Sequence, residues 1–226
     1  MIFKTRDTSE VVQEITTALK NALERHEHVL WLVSGGSNIS LQVAIMKSLH
    51  KDYPELLESL TILPMDERYG PEGHEDSNYQ QMLEAGFDAG DAHWYDVLVN
   101  DLPLAETVTY YTDLTEEVFA EAQYVIGTFG MGTDGHTAGI LPRSPAVVDD
   151  TSVVVGYEAS DFTRMTLTPQ VLVRCNEAYL IAYGTQKSSA LEKLAQSDLS
   201  LREMPAKLLV DIAEVTVYND VINSEE

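Results

Sequence analysis

The chain has 226 residues, with 37 Asp and Glu against 14 Lys and Arg, and its formal net charge is −23. This charge repels nucleic acid and anionic membranes at long range, so neither is an expected partner. The single cysteine excludes an internal disulfide, and the charged start of the chain and the lack of a long apolar run argue against a signal peptide and a membrane span. We therefore expect one domain over residues 1–226, located in the cytoplasm.

Six apolar runs predict β-strands, and several do not alternate with polar residues, which is typical of parallel strands buried on both faces. They cover residues 28–34, 60–65, 122–129, 152–157, 177–184 and 213–218. Residues 9–23, 39–50 and 186–196 have helical periodicity. This order predicts an α/β fold with a mainly parallel, Rossmann-like sheet flanked by helices. Ligands of such sheets bind beyond the carboxyl ends of the strands.

A glycine-rich turn follows the first of the long apolar runs. Its residues are Ser34, Gly35, Gly36 and Ser37. The glycines let the backbone approach a ligand closely, and we expect Ser37 or Asn38 to cap a helix that begins near Ile39, whose free N–H groups favour an anion. The turn lacks the G-K-[ST] ending of a nucleotide loop, so a sugar phosphate fits better than a triphosphate. The alternative is an ordinary strand-to-helix turn.

Charged side chains follow the second long apolar run, where Asp66, Glu67 and Arg68 come directly after a strand end. Such a triplet is usually a solvated face, but its place at the ligand-binding edge favours a functional role. Arg68 offers a planar fork of donors to a phosphate or a carboxylate.

The segment GTFGMGTDGHTAGILP at residues 127–142 contains the letters G-x-G-x-x-G of a dinucleotide-binding loop. Pro142 follows too soon for the helix that such a loop needs, and Asp134 would repel a pyrophosphate. A carboxylate beside a histidine can instead orient a general base, which makes Asp134 and His136 catalytic candidates. The alternative is a helix cap and a satisfied polar histidine.

The three segments together resemble the 6-phosphogluconolactonases. The resemblance rests on SGGS, on DER with DSN ten residues on, and on GMGTDGHTAGILP, and it continues through RMTLT (164–168), YGTQK (183–187) and MPAKLL (204–209). Glucosamine-6-phosphate deaminases share much of this pattern. They carry an acidic residue just before the proline of the third segment, where this chain has Leu141. The resemblance therefore favours the lactonases.

The resemblance implies hydrolysis of 6-phospho-D-glucono-1,5-lactone, without a metal or an organic cofactor, by a monomer or a small homo-oligomer. It implies that His136 activates water and that Asp134 orients its ring. The SGGS turn, Arg68, Arg164 and Lys187 would hold the substrate anion. Backbone N–H groups of the loop from Gly130 to Gly135, which includes Gly132, would stabilise the oxyanion. Asp66 and Glu67 would position substrate hydroxyls or Arg68.

Two departures and two alternatives stay open. Ile39 stands where the family usually has proline, and the final segment VYNDVINSEE lacks the usual tryptophan-containing strand and helix, which leaves open how the last sheet edge is closed.

One alternative function is that of a sugar-phosphate deaminase or isomerase, in which Asp66 would be the proton-shuttling base. The other is a non-catalytic sugar-phosphate sensor.

Overall fold

The structure is a computed structural model that describes residues 1–196 and 198–224. Its centre is a seven-stranded sheet in which all paired neighbours run parallel. In spatial order its strands are β1 (Ile2–Thr5), β10 (Glu214–Asn219), β9 (Glu177–Ala182), β6 (Tyr124–Gly130), β2 (Val29–Val33), β3 (Leu60–Pro64) and β5 (His93–Trp94). The predicted α/β fold with a mainly parallel sheet is confirmed.

Helices cover both faces of this sheet. They are α1 (Thr8–Leu23), α2 (Ile39–Asp52), α3 (Asn78–Glu84), α4 (Leu104–Glu121), α5 (Pro145–Val148), α6 (Pro169–Leu172) and α7 (Ser188–Gln196). Strand β2 shows why its sequence does not alternate: Leu30 and Leu32 belong to one apolar cluster, and Trp31 belongs to the cluster on the other face, with α1 and α2. All five residues of this strand are buried.

A second sheet has three antiparallel strands, β4 (Asp66–Arg68), β8 (Thr163–Leu167) and β7 (Val154–Glu158). Five of the six predicted strands lie in the parallel sheet, but the run 152–157 forms β7 in this smaller sheet. The reason is the connection that follows it, because a tight hairpin returns directly to β8, whereas a parallel neighbour needs a long crossover. Only part of β7 is buried.

Residues 219–224 lie along part of the outer edge of the parallel sheet. The N–H of Ser224 donates to the carbonyl of Phe3 at 2.9 Å, and the N–H of Phe3 donates to Ser224 Oγ at 2.9 Å. The buried side chain of Asn219 holds the turn, since its Oδ1 accepts from the N–H groups of Val221 and Ile222. These bonds cover part of an edge strand that would otherwise expose unpaired backbone groups.

The single cysteine and the helices can be compared with what the sequence predicts. Cys175, the single cysteine, is buried, and desolvation raises the pKa of its thiol to about 12, so the thiol is protonated and unreactive at neutral pH. Among the helices of the described residues, none combines the length and the apolar composition that crossing a bilayer requires.

Candidate active site

A cleft of about 390 Å³ lies at the carboxyl ends of β2, β3, β6 and β9, and the β7–β8 hairpin forms part of its wall. Eleven of the thirteen predicted site residues line it: Ser34, Gly35, Gly36, Ser37, Asp66, Arg68, Gly130, Gly132, His136, Arg164 and Lys187. The other two, Asp134 and Glu67, do not line the cleft, and each makes a hydrogen bond to a residue that does. Segments more than a hundred residues apart therefore meet where the topology predicts a ligand site.

The SGGS turn is held by a buried amide rather than by a helix cap. Gln42 accepts from the N–H of Ser34 at 2.9 Å and donates to its carbonyl at 2.6 Å. A short 3-10 turn at Gly36–Asn38 precedes α2, and neither it nor α2 has a side-chain cap. The expected cap by Ser37 or Asn38 is therefore wrong, because the Asn38 amide donates to Ser34 Oγ instead.

The glycines of this turn serve close packing and an unusual backbone conformation. A Cβ on Gly35 would lie 1.9 Å from Asn78 Oδ1, and Gly36 has a φ of +67°. The turn therefore depends on glycine at both positions. The first N–H groups of a helical segment have no partners within it, so this backbone presents donors to the cleft.

His136, which lines the cleft, forms an acid–base pair with Asp134. Asp134 Oδ1 lies 2.7 Å from His136 Nδ1 and also accepts from the N–H of His136 at 3.1 Å. This hydrogen bond holds the pKa of Asp134 below its ordinary value. A carboxylate accepting from Nδ1–H fixes the tautomer in which Nε2 is free to accept a proton. The pair thus has the arrangement of a general base and its orienting group.

The glycine loop is shaped around this histidine. A Cβ on Gly132 would lie 2.2 Å from the imidazole ring, so glycine is required there for the ring to occupy its place. The N–H of Gly132 donates to the carbonyl of His136 at 2.9 Å, and the N–H of Gly135 donates to the carbonyl of Gly132 at 3.0 Å. These two N–H groups are therefore not the free oxyanion donors that the sequence suggests.

Asp66 and Glu67 have separate environments although they are neighbours. Asp66 lines the cleft, and desolvation raises the pKa of its carboxyl, while the charges of Arg164, Arg68 and His136 oppose this shift. Gly139 lies against it, since a Cβ there would come within 2.6 Å of Asp66 Cβ. Asp66 is thus a buried carboxyl that can contact a ligand.

Glu67 does not line the cleft, and of its two expected roles its contacts favour the positioning of Arg68 over contact with substrate hydroxyls. Its carboxylate is fully buried and accepts from Ser77 Oγ and from the backbone N–H groups of Asn78, Tyr79 and Arg68. Burial raises its pKa to about 7, although these backbone donors lower it. Glu67 therefore fixes the start of α3 and the backbone of Arg68.

Two arginines contribute positive charge to the cleft. Arg68 donates to the carbonyl of Asp76 at 3.1 Å, and Arg164 donates to Asp161 Oδ2 at 2.6 Å. Both guanidinium groups lie over the ring of Phe162, with centroid distances of 4.6 Å for Arg68 and 5.5 Å for Arg164. Their charges can attract an anion into the cleft.

Lys187 supplies a third positive charge, and it is the last residue of the 3-10 turn that precedes α7. Partial burial lowers the pKa of its ammonium group, and the charge of Asp220 opposes this shift. Within the described part of the chain, its ammonium has neither a hydrogen bond nor an ion pair. It is therefore available to an anionic ligand.

Eight lining residues were not among the predicted site residues, and they include Asn78, Phe162 and Gln186. Asn78 donates from Nδ2 to the carbonyl of Asp66 at 3.0 Å, and its Oδ1 is buried without a partner. Its place in the DSN triplet was a usable signal. Phe162 carried no such signal except its position two residues before Arg164.

A larger cleft of about 490 Å³ lies elsewhere, between α1 and the sheet. Its floor includes Tyr124 and Glu177, the first residues of β6 and β9, so it opens at the amino ends of the strands. Its tyrosine hydroxyls donate to the carboxylates of Glu177 and Glu14 at 2.5–2.7 Å, so these polar groups are paired with one another. The smaller cleft, in contrast, is lined by His136 of the acid–base pair.

Over residues 1–196 and 198–224, no group of three or more His, Cys, Asp or Glu side chains is placed to hold a metal ion.

A family model described as glucosamine-6-phosphate isomerases/6-phosphogluconolactonase matches residues 5–218. A probable 6-phosphogluconolactonase of Dictyostelium discoideum is 24% identical over 226 residues, covering 96% of this chain and 94% of that protein. A 6-phosphogluconolactonase of Helicobacter pylori is 28% identical over 185 residues, covering 76% and 74%.

Solved structures share the fold. A 6-phosphogluconolactonase from Shewanella baltica superposes with a TM-score of 0.79 at 22% identity, covering 97% of this chain and 96% of that chain. A monomeric glucosamine-6-phosphate deaminase superposes with a TM-score of 0.78 at 20% identity, covering 97% of each. The fold is thus common to both activities, and the choice between them depends on side chains.

Proposed function

From the premise that this chain belongs to the glucosamine-6-phosphate isomerase/6-phosphogluconolactonase family, we propose that it is a carboxylic ester hydrolase that converts 6-phospho-D-glucono-1,5-lactone to 6-phosphogluconate in the oxidative branch of the pentose phosphate pathway. Its partner is a small sugar phosphate, and the reaction uses no metal or organic cofactor. It acts in the cytoplasm, as a monomer or a small homo-oligomer, without nucleic acid or membrane. The observation that carries the proposal is the 2.7 Å contact between Asp134 and His136 at the cleft.

In the proposed mechanism, His136 Nε2 removes a proton from a water molecule as the water oxygen attacks C1 of the lactone. The C1 carbonyl oxygen becomes an alkoxide, which cationic side chains and free backbone N–H groups of the cleft stabilise. When this intermediate collapses, the bond between C1 and the ring oxygen breaks, and the imidazolium returns the proton to that oxygen. Asp134 stabilises the imidazolium between these steps.

The substrate anion fits the positive side chains of the cleft. Arg68, Arg164 and Lys187 line it together with the SGGS backbone, so a phosphate there meets charge-assisted donors in a protein whose net charge would otherwise repel it. Asp66 accepts from a substrate hydroxyl or orients these cations.

Deaminase activity is the main alternative, and Leu141 argues against it. The resemblance to deaminases implies an acidic residue at this position, whereas Leu141 is apolar and packs against the hydrophobic core. Its side chain cannot exchange a proton, so ring opening of an amino sugar would lack that group. A non-catalytic sensor would not need the Asp134–His136 pair.

The test is a paired assay on the purified protein. We expect hydrolysis of freshly generated 6-phosphogluconolactone well above its spontaneous rate, and no measurable ammonia release from glucosamine 6-phosphate. Ammonia release at a rate similar to lactone hydrolysis would support the deaminase instead. Binding of sugar phosphates without either reaction would support the sensor.

A further inference from the structure

Phe162 lies near the tip of the β7–β8 hairpin and contacts both arginines of the cleft. The guanidinium carbons of Arg68 and Arg164 lie 4.6 Å and 5.5 Å from the centre of its ring. The two arginines are direct cross-strand partners in β4 and β8. Like charges in such a pair repel each other, so each guanidinium group needs contacts that hold it in place.

The nitrogen atoms of the two guanidinium groups have different environments. One terminal nitrogen of each has a protein acceptor: Arg68 Nη1 donates to the Asp76 carbonyl and Arg164 Nη2 to Asp161. The Nε atom of each is buried without a hydrogen-bond partner. The remaining nitrogens, Nη2 of Arg68 and Nη1 of Arg164, have no acceptor in the described residues and are not among the buried unpaired atoms.

The ring of Phe162 accounts for the buried Nε groups. A buried donor without a partner is costly, and the negative face of an aromatic ring offsets this cost for a cation that lies over it. We propose that Phe162 is a positioning residue, whose ring holds Arg68 and Arg164 so that one free nitrogen of each faces the anionic group of a bound sugar phosphate. This inference rests on the proposed function, because it concerns the same site.

Binding of 6-phosphogluconate, measured by isothermal titration calorimetry, tests the proposal without requiring turnover. Phe162→Leu is expected to weaken binding by about tenfold, the size of one or two cation–π contacts, and Phe162→Tyr to stay within about twofold of the wild type. Phe162→Met removes the aromatic face with less change in packing and should match the leucine variant. Phe87→Leu is the matched control, because Phe87 packs against Trp31 and Trp94 away from the cleft.

A double-mutant cycle separates positioning from a general packing effect. In an Arg164→Ala background, Phe162→Leu should cost less affinity than in the wild type, because one of its two partners is gone. Equal losses in both backgrounds would contradict the proposal. So would unchanged binding by folded Phe162→Leu and Phe162→Met, or an equal loss in Phe162→Tyr.

The outcomes also separate this inference from the proposed function. If the wild type binds 6-phosphogluconate and Phe162 is required, but the lactone is not hydrolysed, the lactonase assignment fails and the positioning role stands. If the lactone is hydrolysed and Phe162 is dispensable for binding, only the positioning role fails. A wild type that binds no 6-phosphogluconate overturns the positioning role.

Discussion

His136 is the residue whose surroundings most clearly define a chemical role. Its Nδ1 is engaged by Asp134, and its ring lies so close to Gly132 that no side chain fits there. Because the orienting carboxylate is only two positions away in sequence, a single turn builds the pair. The D-x-H pattern could therefore be found in the sequence, whereas the need for glycine at position 132 is visible only in the three-dimensional structure.

Replacing Asp134 by Asn should lower kcat by on the order of 10²-fold, because Asn does not stabilise the imidazolium that forms during the reaction. The hydrogen bond to His136 keeps the pKa of Asp134 below its ordinary value, so this carboxylate is charged at neutral pH. Asp88→Asn, at an exposed carboxylate 3.9 Å from His50, is the control. Full kcat in Asp134→Asn would contradict its orienting role.

Lys187→Ala should reduce kcat/KM for the phosphorylated lactone by roughly 10- to 150-fold, the value of one charge-assisted hydrogen bond. Turnover of the unphosphorylated lactone should change little, because that substrate makes no phosphate contact. Lys193→Ala, on the helix that follows, is the control. Equal losses on both lactones would show that Lys187 acts on the sugar ring or on the fold.

At the scale of elements, α3 begins on a buried carboxylate. Glu67 accepts from the N–H groups of Asn78 and Tyr79 and from Ser77 Oγ, so the strand that carries Asp66 and Arg68 is tied to the helix behind the cleft. The sequence suggested Arg68 as a partner of Glu67 but not the bonds to α3, because an acidic triplet after a strand suggests ligand contacts. Adjacent side chains of a strand point to opposite faces, and only the structure shows that Asp66 faces the cleft and Glu67 faces α3.

Glu67→Ala should lower the free energy of unfolding by about 2–4 kcal/mol, since it leaves several buried donors without an acceptor. Urea denaturation measures this loss. Glu84→Ala, at the exposed end of the same helix, should cost less than about 0.5 kcal/mol. If the two variants were equally stable, Glu67 would not be the anchor of α3.

The predictability of each element follows its length and its pattern. The long apolar runs gave β2, β3, β6, β9 and β10, and strong periodicity gave α1, α2 and α7. The short strands β4 and β5 have three and two residues, too few for a period to be visible. Helix α4 was missed because its sequence LAETVTYYTDLTEEVFAE is rich in β-branched and aromatic residues, whose helix propensity is low. Tertiary packing overrides that preference.

At the scale of the whole molecule, charge is distributed unevenly. The chain carries 14 Lys and Arg against 37 Asp and Glu, yet Arg68, Arg164 and Lys187 converge on one cleft. The composition alone could not identify which residues would build a site for an anion. That required the register between β4 and β8, which brings together arginines 96 residues apart in sequence.

Added salt should stabilise the protein by screening its self-repulsion. Raising KCl from about 0.05 M to about 1 M should raise Tm at neutral pH, as the Debye length falls from above 10 Å to about 3 Å. Calorimetry at about pH 5.5, nearer the isoelectric point of 4.4, supplies the control, because the net negative charge is smaller there and the rise in Tm should be smaller. An equal rise at both pH values would point to a general salt effect instead.

The most direct test of the account is the turnover of 6-phosphogluconolactone by His136→Asn beside the wild type, with spontaneous hydrolysis subtracted and folding checked by circular dichroism. If His136 is the general base, kcat falls by on the order of 10²- to 10⁴-fold while the fold and the binding of 6-phosphogluconate are retained. His50→Asn, on the exposed end of α2, should match the wild type. A folded His136→Asn variant with wild-type kcat would contradict the central claim that the Asp134–His136 pair performs the hydrolysis.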